Sequence, residues 1–233
     1  MKTILLFLVT VILVAQFNFA QTKSGNAGQI IPVTSSHNSN KALYINTGDV
    51  KISDIDGSTY INDEFSLAKL SNAEAYVKAR YNAYNDEMEL EVKGEVGYLI
   101  KVPELKVVFK SDRRTYKVFD YQDEKEVKKG FFRLLSEGEN VSLLAKESIK
   151  FHKEKMPTRG YEKRTPATFQ RSKDKLFISF KNSSAKKLPN KKKDILKLFL
   201  SKSNDIEKYA KTNKLGFKKK EDLIKIFNYF NTL

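Results

Sequence analysis

The sequence predicts a mainly β protein of the α+β class, with an antiparallel sheet in a sandwich or partly open barrel and a short C-terminal helical cap. Three observations support this. Residues 42–188 contain many short runs with strand character, and no long helical pattern separates them. Two of the connections carry turn-forming residues typical of hairpins. After Pro189 the apolar residues change to helical spacing.

The clearest strand is predicted at 87–93, where every second residue is apolar and the others are charged. This alternation is typical of a strand with one buried and one solvent-facing side. The run at 76–84 is rich in Tyr and Val, and Asn85 and Asp86 provide turn chemistry between the two runs. We therefore expect a hairpin here.

A second hairpin is expected at the Glu-Gly-Glu-Asn turn of residues 137–140, which joins 131–135 to 141–145. The Pro- and Gly-containing stretch 153–168 is expected to be a long exposed loop. Further strands are predicted at 58–61, 98–102, 105–110, 115–121, 148–153 and 176–181.

Three short helices are predicted at the C-terminal end, over 191–200, 204–214 and 221–231. Asn204, three residues before Glu207, is expected to cap the second helix. Helices of this length are marginal alone in water, so they must pack on each other or on the sheet. The basic segment 189–233 is therefore expected to pack on the β domain of residues 42–188.

The first twenty residues have the pattern of a secretory signal, with one Lys followed by an apolar run. Cleavage is expected between Ala20 and Gln21. The alternative is a retained membrane anchor, but polar residues interrupt the run well short of the ~20 apolar residues that a span needs. Residues 21–41, rich in Ser, Asn, Thr and Gly, are expected to be a flexible leader. The sequence therefore predicts a secreted or periplasmic protein.

The composition excludes several kinds of chemistry. The chain has no Cys, so thiol nucleophiles, disulfides and thiolate metal sites are excluded. It has only two His, and nucleotide-binding glycine motifs and a serine-hydrolase elbow are absent. No cofactor is predicted. Asp54 and Asp56 have the opening spacing of a calcium loop, but Phe65 occupies the position that requires Glu, so a simple turn is the preferred interpretation.

Positive charge is concentrated at the C-terminal end. Residues 185–233 contain 14 Lys and five Asp or Glu, within a chain of net charge +15. Four interpretations stay open: a solubilising face, attraction to an anionic envelope surface or polysaccharide, docking of an acidic protein, and nucleic-acid binding, which export disfavours. Lys is a flexible point charge suited to diffuse anionic surfaces. The candidate contact residues are Lys191, Lys192, Lys193, Lys218, Lys219 and Lys220.

Two further candidate sites lie in the first hairpin. Arg80, Tyr81 and Tyr84 are candidates to line a ligand groove, but the preferred interpretation is a hairpin whose Tyr side chains pack across the strands. Glu87, Glu89 and Glu91 share one strand face and would be the carboxylates of a hydrolase. The simpler interpretation is a solvent-facing side whose Glu residues pair with Lys78 and Arg80 on the neighbouring strand.

The strings at 57–65 and 80–87, together with 217–224 and 228–231, give the chain a resemblance to a group of secreted Bacteroidota proteins without an assigned activity. The resemblance covers most of the chain after residue 20. It implies export and a β-rich domain that ends in helices. It implies no reaction and no catalytic residues.

The sequence therefore favours an exported, non-catalytic binding or structural protein of the cell envelope with a Lys-rich C-terminal face. Two alternatives remain, a carrier of an apolar ligand in a β-domain cavity and a hydrolase of envelope polymers with a carboxylate site. No transmembrane helix is predicted after residue 20. The oligomeric state is not predicted.

Overall fold

A computed structural model describes residues 33–35, 55–103, 105–124, 126–157 and 163–233. These residues form a large curled antiparallel sheet, a half-barrel, followed by a short helical region, which confirms the predicted fold class. The elements are β1 (Val33–Ser35), β2 (Ser66–Leu70), β3 (Tyr76–Asn82), β4 (Glu87–Val92), β5 (Glu95–Leu99), β6 (Lys106–Phe109), β7 (Thr115–Asp123), β8 (Glu126–Ser136), β9 (Val141–Lys146), β10 (Ile149–His152), β11 (Thr168–Arg171), β12 (Lys175–Phe180), β13 (Lys186–Lys187), α1 (Lys192–Lys197), α2 (Ser203–Thr212) and α3 (Lys220–Phe230).

Eleven of the described strands form the curled sheet, in the order β1-β5-β4-β3-β2-β6-β7-β8-β9-β12-β13. Strands β10 and β11 pair separately. Both predicted hairpins are confirmed, because β3 pairs with β4 and β8 pairs with β9, each antiparallel. The sheet runs mostly through neighbours in sequence, as expected from the short connections.

Several boundaries differ from the predictions. The strand expected at 98–102 lies earlier, as β5, because its residues 95–99 continue the ladder from the tight turn at Lys93 and Gly94. The short strands β2, β11 and β13 were not predicted, since their polar or Ala-containing sequences have weak alternation. β1 lies within the segment that was expected to be flexible, and it pairs with β5.

The helices cover one face of the sheet at β9 and β12. Side chains of this face and of all three helices form one buried cluster, which includes Val141, Leu143, Ile178, Ile195, Ile206, Leu223, Ile226 and Phe227. Neighbouring strand residues point to the opposite face, where a second cluster contains Phe119, Phe132, Leu144 and Phe177. Burial on the sheet explains how helices this short are stable.

The predicted helices are confirmed, with a 3-10 turn at Leu200–Lys202 between α1 and α2. The prediction that Asn204 caps α2 is wrong. The helix begins one residue earlier, at Ser203, and Lys202 is its N-cap without a side-chain hydrogen bond. The Ser203 hydroxyl instead donates to the Leu196 carbonyl, which ties α2 to the end of α1.

Candidate anion-binding site

The three helices and the last strands enclose two joined clefts. We call the first the helix cleft. It has a volume of about 590 Å³ and lies beside α2, the loop that follows α2 and the start of α3. Its lining is Asn190, Lys192, Glu207, Ala210, Lys211, Lys214, Leu215, Gly216, Phe217, Lys218, Lys219 and Asp222.

The second, the edge cleft, has a volume of about 520 Å³ and lies between α3 and the β12–β13 edge of the sheet. Its lining is Lys173, Asp174, Lys175, Leu176, Lys187, Leu188, Pro189, Asn190, Phe217, Lys218 and Leu223. Asn190, Phe217 and Lys218 line both clefts, so they form the junction between them. Both volumes fall in the range of small-molecule sites.

Local structure explains how the loop after α2 brings its Lys residues to the helix cleft. Lys214, two residues after the end of α2, has the left-handed conformation, with φ at 54°. The Leu215 N–H then donates back to the Ala210 carbonyl at 2.8 Å, as in a standard helix C-terminus. The Gly216 N–H donates to Asp222 Oδ2 of α3 at 2.9 Å, which holds the loop against the next helix.

The clefts are strongly basic. The helix cleft has five Lys against two carboxylates, and the edge cleft has four Lys against one. Lys192 pairs with Glu207 at 2.7 Å. Among the described residues, no carboxylate forms an ion pair with the remaining cleft lysines, Lys173, Lys175, Lys187, Lys211, Lys214, Lys218 and Lys219. These seven ammonium groups are therefore available to an external anion.

The structure brings together only part of the predicted Lys set. Lys192, Lys218 and Lys219 line the helix cleft. Lys191 and Lys193 are exposed at the start of α1 but do not line it. Lys220 turns to the sheet, where its Nζ lies 3.3 Å from Asp174 Oδ2.

Sequence reasoning missed the other cleft lysines. Lys173, Lys175 and Lys187 come from the sheet edge, and no sequence signal places them opposite the helices. Lys211 lies in the last turn of α2, but Lys214 follows the helix in the left-handed conformation, so helical spacing does not predict that both line one cleft.

The predicted groove at the first hairpin has little space. Tyr81 is 2% exposed, packs on Tyr116 with ring centroids 4.9 Å apart and donates its hydroxyl to Asp86. Tyr84 packs on Phe169. Arg80 and Tyr81 border a pocket of only about 10 Å³, and Tyr84 does not line it. This volume corresponds to about one water molecule.

The Glu residues of β4 have the partners expected from strand register. Lys78 Nζ lies 2.7 Å from Glu91 Oε1, and Arg80 Nε lies 2.8 Å from Glu89 Oε2. The expectation that this whole face is solvent-exposed is wrong for Glu89, which is 3% exposed. Tyr60 donates to Glu89 and lies against the Arg80 guanidinium, so it covers the ion pair.

Burial and the nearby Glu89 carboxylate raise the pKa of Tyr60 to about 12. Burial also raises the pKa of Glu87, which is partly opposed by Lys101. The hydrogen bonds and ion pair of Glu89 hold it in a fixed structural contact. Neither Glu87 nor Glu89 lines one of the two clefts.

Two other carboxylates, the buried Glu147 and the half-buried Asp86, are occupied by internal partners. Glu147 accepts from the Tyr116 hydroxyl and from Arg171 Nη2 at 2.7 Å, and Arg133 approaches at 3.4 Å. Burial and Glu147 raise the pKa of Tyr116. These contacts join β7, β8 and β11 to the residue after β9, which is a structural role.

The second carboxylate, Asp86, lies 2.5 Å from Lys146 Nζ and 3.0 Å from Lys101 Nζ, and it accepts from the Phe131 N–H. Burial lowers the pKa of the Lys146 ammonium, an effect that Asp86 opposes. A Cβ on Gly130 would lie 2.7 Å from Lys146 Nζ, so a larger residue at this position would displace the Lys146 ammonium group.

His152 is exposed. Ala20, Gln21, His37 and Asp54 lie outside the described residues. Within the described ranges, no group of three or more His, Cys, Asp or Glu side chains is arranged to hold a metal ion. In the same part of the chain, no helix has both the length and the apolar character needed to cross a membrane.

Comparison of the chain with models of protein families, with curated proteins and with solved structures gave no match. The Lys-lined clefts are therefore interpreted from their own geometry and charge.

Proposed function

We propose that this protein is an exported, non-catalytic binding protein that uses the two Lys-lined clefts to hold an anionic component of the cell envelope. The observation that carries the proposal is the convergence of seven unpaired lysines on two joined clefts. A face that served only solubility would need exposed charge but no concave arrangement of it.

Concave, like-charged surfaces concentrate the electrostatic potential and attract ligands of opposite charge. The ammonium groups lie on exposed residues, so they remain hydrated and attract anions without specific geometry. The apolar part of the lining, which includes Leu215, Phe217 and Leu223, provides contact area beside the charges.

The two alternatives have less support. A carrier needs an enclosed cavity of several hundred Å³ in the β domain, whereas the pocket beside Tyr81 and Tyr116 holds about 10 Å³. A larger cleft of about 570 Å³, lined by Gly57, Ser58, Thr59, Tyr60, Asp63 and Phe169, opens at the surface beside the exposed Gly57 and Asp63. A hydrolase of the usual two-carboxylate type needs acidic groups that converge across a cleft. Glu89 is instead held by Arg80 and Tyr60, and Glu147 by Arg171 and Tyr116.

The test is co-sedimentation of the purified protein with isolated envelopes of its host. The variant Lys211→Glu/Lys214→Glu/Lys218→Glu reverses three cleft charges. Each Lys near an anionic surface contributes about 1 kcal/mol, so we expect binding to weaken at least about 100-fold. Raising the salt to about 1 M should also release the protein, because the screening length falls to about 3 Å.

The matched control is Lys129→Glu/Lys150→Glu/Lys153→Glu, which changes the net charge equally at exposed lysines outside both clefts. We expect its binding to change less than about threefold, since charges beyond the ~8 Å Debye length are screened. Equal loss in both variants, or binding insensitive to salt, would contradict a role of the clefts.

A further inference from the structure

We infer that the ligand of the two clefts is an acidic polysaccharide, whose chain crosses from one cleft to the other over the ring of Phe217. This inference rests on the proposed anion-binding function and specifies the ligand class. It is carried by three features of the described residues, namely the junction between the clefts, the single aromatic ring there and the type of cation around it.

The junction favours a polymer. The two clefts are about 590 and 520 Å³, and each alone has the volume of a small-molecule site. Because Asn190, Phe217 and Lys218 belong to both linings, a chain in one cleft can continue into the other without leaving the surface. A single small anion would occupy only one of them.

The aromatic ring favours sugars. Phe217 is half-buried and packs on the helix cluster, so its ring is held in position. Lys192 Nζ lies 5.7 Å from the centroid of this ring, which places a cation beside an apolar face. The C–H face of a pyranose ring stacks on such a surface while its carboxylate meets the ammonium group, and the Asn190 amide at the junction can bond to hydroxyls.

The cations favour carboxylates on a flexible chain over nucleic acid. Both linings contain Lys and no Arg, and Arg is the residue that fits phosphate with two parallel hydrogen bonds. Single-stranded nucleic acid is held by aromatic residues that stack on successive bases. The two linings have Phe217 as their one aromatic residue, which is a platform for one ring only.

The experiment is calorimetric titration of the full protein with four probes, namely short oligogalacturonate, its methyl ester, polyphosphate of similar charge, and oligothymidylate. We expect oligogalacturonate to bind, and the uncharged methyl ester not to bind. Phe217→Leu retains apolar packing but removes the flat ring. It should weaken oligogalacturonate binding about tenfold, equivalent to about 1.4 kcal/mol, and change polyphosphate binding less than about twofold.

The matched control is Phe230→Leu, since Phe230 belongs to the same helix cluster but lines neither cleft. It should leave oligogalacturonate binding unchanged. Unchanged oligogalacturonate affinity in Phe217→Leu, or tighter binding of polyphosphate or oligothymidylate than of oligogalacturonate, would overturn the acidic polysaccharide as ligand while anion binding still stands. Failure of every anionic probe to bind would overturn the proposed function as well.

Discussion

The side chain of Asn231 takes the place of a strand neighbour for Val141, and replacing it with Ala tests how the helical cap is attached. Val141 N–H donates to Asn231 Oδ1 at 3.1 Å, and Asn231 Nδ2 donates to the Val141 carbonyl at 3.0 Å. On this side of β9 the partner strand β8 has already ended at Ser136. The amide therefore joins the end of α3 to the sheet through two hydrogen bonds.

The cost of Asn231→Ala follows from the burial of this contact. Val141 is 0% exposed, so its N–H and carbonyl would lose their partners where water has little access. A buried polar group left unpaired costs about 1–3 kcal/mol, and some relaxation toward water is expected at the end of a helix. We therefore expect the free energy of unfolding to fall by about 2–4 kcal/mol.

Gly138→Ala tests the same contact from the other side. A Cβ at residue 138 would lie 2.1 Å from Asn231 Cγ, so the amide must leave its position. The single substitution should cost as much as Asn231→Ala. The double variant should cost little more than Asn231→Ala alone, since the added methyl then enters vacated space, which gives a coupling of about 2 kcal/mol.

The assay is urea unfolding followed by circular dichroism and by tyrosine fluorescence, since the chain has no Trp. Two probes with one transition establish that the sheet and the cap unfold together. The reasoning is refuted if the double variant loses as much free energy of unfolding as the two single variants together. It is also refuted if Asn231→Ala lowers the free energy of unfolding by less than about 0.5 kcal/mol.

Two further predictions use the segment before β2. Gly57→Ala places a Cβ 2.2 Å from the Phe169 carbonyl at a φ of +87°, whereas Gly94→Ala, at +83°, meets no atom within 4 Å. Both substitutions place Ala at a positive φ, which costs about 1–2 kcal/mol of folding free energy. Only Gly57→Ala should lower the free energy of unfolding, measured by urea titration, by well over that amount. The pKa of Tyr60 is raised from 10.0 to about 12. The contribution of its protonated hydroxyl to the free energy of unfolding is therefore complete below pH 10 and is lost as the pH rises to 12. Tyr60→Phe should therefore reduce the fall in stability between pH 10 and 12, and an unchanged alkaline unfolding curve would contradict the burial of this hydroxyl over Glu89.

Local patterns were sufficient to predict the hairpins, because their register depends on a short turn and on alternation within one run. The pairing of Lys78 with Glu91 and of Arg80 with Glu89 follows from that register. The burial of Glu89 does not, since the covering residue Tyr60 comes from a segment almost thirty positions earlier. Nothing in the alternation of β4 indicates which side chains will be covered from outside the hairpin.

The candidate site shows the same limit. Runs of Lys are visible in the sequence, and they correctly indicate that residues 185–233 are basic. The order in which β12 and β13 join the sheet places Lys175 and Lys187 opposite α3. The tertiary fold also brings Lys220 to Asp174, and neither contact follows from the local sequence. Charge was therefore predictable by position, but its convergence on a cleft was not.

The arrangement of these charges has an energetic consequence for the helical cap. Like charges around one cleft repel each other, so the unpaired cleft lysines oppose the docking of α2 and α3 that brings them together. The docking is maintained by apolar burial in the helix cluster and by the amide contact of Asn231 with Val141. An anion in the cleft would remove the repulsion, because it binds the docked form and not the unfolded chain, and ligand binding of this kind stabilises the folded state. The cleft lysines therefore weaken the docking of the helices on the sheet when no anion is bound, and they strengthen it when an anion binds. This coupling links the fold of residues 185–233 to the anion-binding function proposed for them.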